Sequence, residues 1–475
     1  MHGRAGVRAR IVAMKGRNGP GAKAAQESGN EMTKPAEEIP ARVSEAAKQA
    51  GEVRARWAWT EPAVWTDRML TALENGVRGG QWFSLIDKVY ASGNLGRAFD
   101  RVKANAGAPG VDGQTVEMFE AGLDKNLEQI AQSLKGGTYR PQPVKRVWIP
   151  KPGSQEQRPL GIPTIRDRVV QTAVRHVLEP IFERDFAEHS YGFRPKRSAK
   201  DALRRVDGLL NQGYQWVVDA DLKSYYDTIP HQPMLERVGE KVSDSRIILL
   251  IEAMLKQGVM EAMREWQPEE GTPQGAVISP LLSNIYLNPL DSLMQNGGME
   301  MVRYADDFII MCRSEAEAKR ALTVVQAWTA EAGLTLHPEK TRIVDATQPG
   351  GFDFLGYHFE QGQRWPRRKS LRKLKDSIRQ KTRRNNGSSL SVIILNVNRT
   401  LKGWFHYFQH SRRFTFVMLD GWVRMRLRCI LLRRHDGRGC GRGLDHYRWP
   451  NAFFTEHGLY SLTAAHVKSV SLLRK

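Results

Sequence analysis

The feature that most constrains this chain is a pair of adjacent aspartates between two apolar runs. Met301 and Val302 precede Asp306 and Asp307, and the apolar residues 308–311 follow them. Apolar runs of this length, broken by a short polar pair, predict a β-hairpin whose turn carries the acids. Two such carboxylates repel each other unless a cation or an arginine lies between them. Mg²⁺ suits carboxylate oxygens and keeps positions open for phosphates. For an isolated pair, the alternative is an exposed turn between ordinary strands.

Two segments upstream indicate that the pair is not isolated. Residues 217–222 predict a second apolar strand that ends at Asp221, and residues 271–275 predict a turn-rich loop between the two acidic strands. Carboxylates from two strands, holding two metal ions, are what in-line nucleotidyl transfer requires. With these segments the sequence resembles a reverse transcriptase. Residues 304–307 are similar to the Y-x-D-D box of that family, and the three segments follow the family's order.

The charge of the chain is concentrated at one end. The formal net charge is +21 and the isoelectric point is near 9.9, which indicates a polyanionic partner such as nucleic acid. Residues 361–475 contain 26 lysines and arginines against 5 aspartates and glutamates, whereas residues 1–360 contain 46 of each kind. We therefore predict a neutral catalytic body followed by a basic nucleic-acid-binding part.

The cysteines and the hydropathy exclude several other classes. Cys312, Cys429 and Cys440 are too few and too scattered for a disulfide framework or for a cysteine-ligated zinc finger. No apolar run reaches transmembrane length, and no signal peptide is visible after Met1. We predict a cytoplasmic protein with no membrane partner, which in a bacterium would lie with the nucleoid DNA.

Basic residues in two loops are candidates for binding the substrates. Lys151 and Arg158 lie on either side of a predicted hairpin tip, where they could clamp a triphosphate or remain solvated. The reverse-transcriptase resemblance implies the first role, because basic residues on the fingers hairpin of that family hold the nucleotide's phosphates. Arg194, Lys196 and Arg197 belong to a loop with two aromatic residues. Gripping a template backbone and forming a structural turn are equally open for this loop.

The last quarter of the chain is predicted to be helical and basic. One helix is expected to carry its cations around an apolar face formed by Leu371, Leu374 and Ile378. Phosphate binding is favoured over a merely solvated face because the charge is so one-sided. The cations predicted to bind nucleic acid here are Arg372, Lys373, Lys375, Arg379, Lys381, Arg424, Arg426 and Arg428.

Six segments in order are similar to those of group II intron reverse transcriptases: residues 158–163, 191–194, 272–275, 304–307, 354–356 and 401–428. The last resembles the maturase or thumb domain, domain X. The resemblance implies an α+β right-hand polymerase fold, with fingers, a palm built on an antiparallel sheet, and an α-helical thumb. The implied segments are a disordered extension (1–55), a helical part of the fingers (56–125), fingers and palm (126–360), a basic thumb (361–435) and a short basic C-terminal segment (436–475).

Residue roles follow from the same resemblance. Asp221 and Asp306 are expected to bind the catalytic Mg²⁺ ions, and Asp307 to support the site. Tyr226 is expected to block a ribose 2′-hydroxyl, and both Gln274 and Gly275 to contact nucleotide and template. Lys340 lies between two predicted strands. A lone lysine is usually solvated, but in polymerases of this shape it could protonate the pyrophosphate leaving group.

The implied function is an intron-encoded RNA-directed DNA polymerase that also binds its intron RNA, assists splicing and supports retrohoming by target-primed reverse transcription. Its expected partners are group II intron RNA, target DNA with a primer, and deoxynucleoside triphosphates, and it could act as a monomer or a homodimer. Many relatives end in an HNH endonuclease domain. Residues 436–475 are too short for one, so a nick or a replication fork is expected to supply the primer.

Two other functions remain open at the level of sequence. One is a splicing maturase whose polymerase site is a relic, although its acids and Gln274 stand intact. The other is a reverse transcriptase recruited for host defence or sequence diversification. A viral RNA replicase is disfavoured because Ala305 stands where the Gly-Asp-Asp motif has glycine.

Overall fold

The fold is known from a computed structural model. It describes residues 45–77, 79–150, 157–261, 264–437, 439, 441 and 443–473. Lys151, the predicted tip of its hairpin and Cys440 lie outside these ranges. Residues 49–475 form one compact unit.

Six helices precede the first strand. The predicted extension lies outside the described residues up to position 44, but its last part is helical. Two ion pairs connect this first helix to the second: Arg54 with Asp67 at 2.7 Å, and Arg56 with Glu74 at 2.7 Å. These pairs join the last turns of α1 to α2. The helices are α1 (Glu45–Arg56), α2 (Asp67–Asn75), α3 (Ile86–Tyr90), α4 (Ser92–Asn105), α5 (Val116–Ala121) and α6 (Leu123–Lys135).

The middle of the chain alternates helices with short strands. Threonine or serine side chains accept hydrogen bonds from backbone N–H groups at the starts of two long helices, Thr164 for α7 and Ser314 for α13. In chain order the elements are β1 (Val144–Pro150), β2 (Gln157–Ile162), α7 (Ile165–Glu183), α8 (Ala199–Asn211), β3 (Trp216–Ala220), α9 (Tyr225–Thr228), α10 (His231–Gly239), α11 (Ser245–Leu255), β4 (Val259–Glu261), β5 (Arg264–Trp266), α12 (Ser279–Asn296), β6 (Glu300–Tyr304), β7 (Asp307–Cys312), α13 (Glu315–Glu331) and β8 (Arg342–Asp345).

These strands form two four-stranded sheets. The first has the order β2-β1-β4-β5, and its antiparallel β1–β2 hairpin places Ile149 opposite Arg158. The second has the order β6-β7-β3-β8 with antiparallel pairing between all neighbours. This second sheet carries the acidic hairpin, so we call it the palm sheet.

The palm sheet is covered on both faces. Phe308, Ile310 and Cys312 pack into the large core that includes α7, α12 and α13. The alternate residues Ile309 and Met311 pack into a second cluster with the aromatic residues that follow β8. Because successive side chains of a strand point to opposite faces, burial of both sets explains why β7 is apolar throughout.

A small three-stranded sheet and a helical domain follow. The order of the small sheet is β11-β10-β9, and Tyr357 of this sheet donates a hydrogen bond to the Tyr407 carbonyl at 2.8 Å. The elements are β9 (Phe352–Phe354), β10 (Tyr357–Glu360), β11 (Gln363–Pro366), α14 (Arg368–Lys381), α15 (Leu390–Phe408), α16 (Arg413–Arg434), α17 (Asp445–Arg448), α18 (Asn451–Glu456) and α19 (Leu462–Leu473).

Helices α14 to α19, which we call the thumb, share one hydrophobic core. Ile378, Leu401 and Leu427 come from its first three helices, and Phe454 and Leu462 come from the C-terminal residues. The boundary that we expected at residue 436 does not separate the C-terminal residues from the thumb core, since apolar side chains on both sides of it pack together. Over the part of the chain that the structure describes, no helix is both long enough and apolar enough to span a bilayer.

Candidate active site

The two adjacent aspartates lie at a tight hairpin turn, as predicted. Tyr304 of β6 pairs with Asp307 of β7, and Ala305 between them adopts a positive φ of 61°. In the same sheet Ala220 of β3 lies opposite Phe308. Asp221, the next residue after β3, therefore emerges beside the turn, and the register of three strands brings the three predicted acids to one edge of the palm sheet.

Burial and mutual repulsion raise the pKa values of several acids at this edge. Burial and the charge of Asp221 raise the pKa of Asp306 above its ordinary value. Asp307 is open to solvent on one side, but protein surrounds the rest. This desolvation, with the charges of Asp306 and Asp219, raises the pKa of Asp307 to about 7. Burial likewise raises the pKa of Asp219, which the nearby Arg342 opposes. The site thus has an excess of negative charge that a cation would relieve.

Several cations approach these acids. The Lys340 ammonium lies 2.5 Å from Asp221 Oδ2, and Arg342 Nε lies 3.3 Å from Asp219 Oδ2. The positive charges of Arg158 and Arg303 both lower the pKa of Asp306, so Arg158 of the β1–β2 hairpin acts electrostatically on the acidic edge. Lys340 and Arg158 thus lie close enough to interact with the acids, and their predicted roles toward the triphosphate stay predictions.

Backbone hydrogen bonds connect the predicted loop at residues 271–275 to the segment after β3 and to strand β2. Thr272 N–H donates to the Tyr226 carbonyl at 2.7 Å, and Gly161 N–H of β2 donates to the Gln274 carbonyl at 2.7 Å. Gly275 has a φ of 108°, and a Cβ there would lie 2.6 Å from the Gly161 carbonyl oxygen. Only glycine allows this close approach. The requirement for Gly275 therefore comes from packing against β2.

Tyr226 borders a cavity between the β1–β4 strands and this loop. The cavity has a volume of about 470 Å³, and Arg146, Trp148 and Asp227 also line it. The Tyr226 ring meets Tyr225 edge-on with centroids 5.3 Å apart, and burial raises the pKa of its hydroxyl. Gln274 Nε2 donates to Asp227 Oδ2 at 3.4 Å. Tyr226 and Gln274 thus face the same region, next to the acids.

The basic loop at residues 190–198 proves structural at its centre. Arg194 is 6% exposed, with its guanidinium paired to Glu183 at 2.8 Å and bonded to the Ala187 and Ser190 carbonyls. The prediction that Arg194 binds nucleic acid is therefore wrong, because its donors are used within the protein. Lys196 and Arg197 also contact backbone carbonyls, but both remain on the surface.

The predicted nucleic-acid-binding cations of the thumb also include both surface residues and residues used within the protein. Arg372, Lys373 and Arg379 are exposed on α14, while Lys375 and Lys381 are half-exposed there. On α16, Arg424 is half-buried, and Arg426 caps the end of α14 by donating to the Thr382 carbonyl at 2.6 Å.

Arg428 is buried at 1% exposure and donates to the Trp449 carbonyl and the Asn451 side chain. The prediction that Arg428 binds nucleic acid is corrected, because it fastens the C-terminal residues to α16. On a helix, residues 424 and 428 share a face and residue 426 lies on the opposite one, so their alternation along the sequence does not place all three on the surface.

Sequence reasoning missed a buried polar group under the turn. Arg303 is fully buried and pairs with Asp291 of α12, and it also donates to Asn284 of α12. The available signals were an arginine within an apolar strand, and two polar residues seven positions apart, on one face of an apolar helix.

Among the described residues, no three His, Cys, Asp or Glu side chains gather as a ready metal-ligand cluster. Mg²⁺ keeps several waters and binds through one or two carboxylates together with substrate phosphates, so the carboxylates at this edge could hold it.

A palm sheet with an acidic hairpin, followed by a basic helical domain, defines the class of template-directed polymerases. Residues 149–359 match the family described as reverse transcriptase (RNA-dependent DNA polymerase), and residues 371–448 match the maturase-specific domain of group II introns. Protein YkfC of Escherichia coli K12 is 32% identical over 72% of this chain and 95% of its own length. The chain therefore belongs to the group II intron-encoded reverse transcriptases and maturases.

The group II intron-encoded protein LtrA of Lactococcus lactis is 39% identical over 214 residues, which cover 45% of this chain and 35% of LtrA. Among solved structures, a partial Cas6-RT-Cas1–Cas2 complex overlaps 52% of this chain and 41% of its own, at 25% identity and a TM-score of 0.35. That score is too low for an argument from shape, so the family assignment rests on sequence.

Proposed function

We propose that the edge formed by Asp221, Asp306 and Asp307 is the catalytic centre of an RNA-directed DNA polymerase. The observation that carries the proposal is the strand register. Pairing of Ala220 with Phe308 sets Asp221 beside the hairpin turn, so acids from distant parts of the chain meet at one point. The raised pKa values of Asp306 and Asp307 are typical of carboxylates arranged for function rather than for stability.

Asp221 and Asp306 would hold Mg²⁺. When bound, the metal would supply Lewis acidity at the triphosphate and at the primer 3′-hydroxyl. Lys340 at Asp221 has a side chain that is 60% exposed, so it can leave the carboxylate and donate a proton to the leaving pyrophosphate. Asp307 would support the turn and add to the negative potential that draws the metal.

The nucleotide would lie between the palm edge and the β1–β2 hairpin. Arg158 would bind its phosphates together with Lys151, since a guanidinium recognises phosphate oxygens through paired hydrogen bonds. The Tyr226 ring would exclude a ribose 2′-hydroxyl. Gln274, joined to Asp227 at its amide nitrogen, would face the sugar and the template base.

The thumb would bind group II intron RNA and so assist splicing. Its exposed cations on α14 are suited to phosphate contacts whose strength depends on salt. With RNA held there and a DNA primer at the acidic edge, the same protein would carry out target-primed reverse transcription during retrohoming.

Primer extension on an RNA template with Mg²⁺ and deoxynucleotides tests the proposal. Wild type should extend the primer, and Asp306→Ala should not. Asp345→Asn is a matched control, because Asp345 lies at the opposite end of the same sheet, where it pairs with Trp216. This control should extend normally. Binding of intron RNA, measured in parallel, should be unchanged in all three proteins.

Failure of the wild type to extend, with tight RNA binding retained, would contradict the polymerase assignment and favour a splicing maturase alone. Loss of extension in Asp345→Asn as well would show that the assay reports the stability of the sheet rather than its catalytic edge.

A further inference from the structure

A buried arginine lies directly beneath the acidic turn. Arg303 Nε donates to Asp291 Oδ1 at 2.7 Å, and its Nη2 donates to the other carboxylate oxygen. Its Nη1 donates both to Asn284 Oδ1 and to the Ala305 carbonyl, each at 2.9 Å. One side chain thus connects helix α12 to the residue that precedes Asp306. Its whole set of contacts is intramolecular, and solvent does not reach it.

The same network extends to the loop on the other side of the turn. Asn284 Nδ2 donates to the Gly192 carbonyl at 2.8 Å. Arg303 exchanges backbone hydrogen bonds with that loop, donating to the His189 carbonyl and accepting from Tyr191 N–H. A Cβ at Gly192 would lie 2.1 Å from the Ala305 nitrogen. The loop therefore packs directly against the turn, and Arg303 with Asn284 fixes the distance between loop, turn and helix.

The turn needs such support because of its conformation. Ala305 has a φ of 61°, which an alanine adopts only at a cost in free energy. A conformation of this kind persists when the surrounding structure determines it. The hydrogen bond from Arg303 to the Ala305 carbonyl is the contact that does so from below. A lysine could keep the charge at this position, but its single ammonium cannot reproduce the planar fork that meets four acceptor atoms on three residues at once.

We propose that Arg303, together with Asp291 and Asn284, is a positioning residue for the catalytic turn. By holding the Ala305 carbonyl it sets the direction in which Asp306 points toward the metal. This inference rests on the proposed role of Asp306 as a metal ligand. Arg303 itself contacts no substrate, so its effect on the reaction is exerted through the geometry of Asp306.

The test compares Arg303→Lys, which keeps the charge but loses the fork, with Asn284→Ala, which leaves the Arg303–Asp291 pair intact. Arg237→Met is the matched control. Arg237 also contacts α12, through the ring and carbonyl of Tyr286, but it does not touch the turn. Three quantities are measured for each protein: kcat and KM for deoxynucleotide addition, the affinity for Mn²⁺ alone by electron paramagnetic resonance, and the melting temperature.

We expect Arg303→Lys to lower kcat by about 10- to 100-fold, since a displacement of roughly 1 Å at a reacting group has effects of that size. KM for the nucleotide should stay within about threefold, because the triphosphate contacts lie elsewhere, and Mn²⁺ affinity should fall. Asn284→Ala should show the same pattern at smaller amplitude. Arg237→Met should change the melting temperature only.

Wild-type kcat and Mn²⁺ affinity in a folded Arg303→Lys protein would overturn the inference. If that variant does not fold, unchanged values in Asn284→Ala would overturn it instead. The proposed polymerase activity fails separately, when wild type does not extend a primer. In that case Mn²⁺ affinity still decides whether Arg303 positions the turn.

Discussion

Asp307 has the clearest pH-dependent behaviour of any residue in the candidate site. Its pKa is raised to about 7 from an ordinary value of 3.8, so the folded protein holds this proton more tightly than the unfolded chain. The contribution of Asp307 to the free energy of unfolding therefore falls as the pH rises from about 4 to 7, and stays lower above 7. Ionisation of the site opposes folding unless a cation is present.

We expect Asp307→Asn to melt at a higher temperature than wild type at pH 8 without divalent metal, because the substitution removes this repulsion. The difference should shrink as the pH is lowered from 8 to 5, and Mg²⁺ should shrink it at pH 8. Thermal unfolding followed by circular dichroism over this pH range measures it. A difference that does not vary with pH would contradict the assigned cause.

Gly275 shows how a motif residue can be required by packing. Gly275→Ala should lower the free energy of unfolding, because a Cβ would meet the Gly161 carbonyl and the Leu160 side chain. Strained backbone alone costs about 1–3 kcal/mol. Gly213→Ala is the control, since Gly213 also has a positive φ but its Cβ would meet nothing closer than 3.9 Å. Equal losses in the two variants, measured by denaturant unfolding, would show that the contact with β2 is unimportant.

The cations of helix α14 lie at the surface of the thumb, whereas cations of helix α16 make contacts within the fold. The cations of α14 lie on its outer side, around the buried Leu374 and Ile378. On α16, Arg428 lies inside and Arg426 bonds the end of α14. The basic residues of the two helices therefore serve two purposes. The exposed cations of α14 suit the binding of RNA phosphates, and Arg426 and Arg428 of α16 join elements of the fold.

Removing the charges of Arg372, Lys373 and Arg379 together should weaken RNA binding and reduce its salt dependence. If each contacts one phosphate, the slope of log K against log salt should fall by about two, at roughly 0.7 per contact for single strands. Arg428→Met should lower the melting temperature and leave the slope unchanged. Binding titrations at several salt concentrations test both, and a reduced slope in Arg428→Met would restore the original assignment of that residue.

On the scale of the whole molecule, the last helices complete the hydrophobic core of the thumb. Phe454 of α18 is fully buried, whereas its neighbour Phe453 is partly exposed. Asp420 of α16 accepts hydrogen bonds from Leu462 N–H and Thr463 N–H at the start of α19. The C-terminal helices are therefore held by a buried aromatic side chain and by a buried helix cap.

Phe454→Ala should lower the free energy of unfolding by about 3–5 kcal/mol, the usual cost of deleting a buried phenylalanine ring. Phe453→Ala should cost clearly less. Denaturant unfolding of both proteins, with limited proteolysis of the thumb, makes the comparison. A small effect in both would mean that the residues after 435 are an appendage after all.

Local sequence patterns determined several secondary-structure elements of this protein and its family. The acidic hairpin, the β1–β2 strands and the capped helix α13 follow from apolar period and capping residues, which act over a few neighbouring positions. The family follows from motif order. The meeting of Asp221 with Asp306 at one edge of the sheet was also predicted, and it is confirmed by the strand register, whereas their metal-binding role stays a prediction.

Tertiary structure alone decided which cations are free. Arg194 and Arg428 were predicted to bind nucleic acid and Arg303 was not singled out, yet all three are buried, with acceptors 11, 21 and 12 positions away respectively. Burial of a charge depends on what packs over it, and that information lies in long-range contacts. The same contacts made Gly275 a packing residue and made the C-terminal helices part of the thumb.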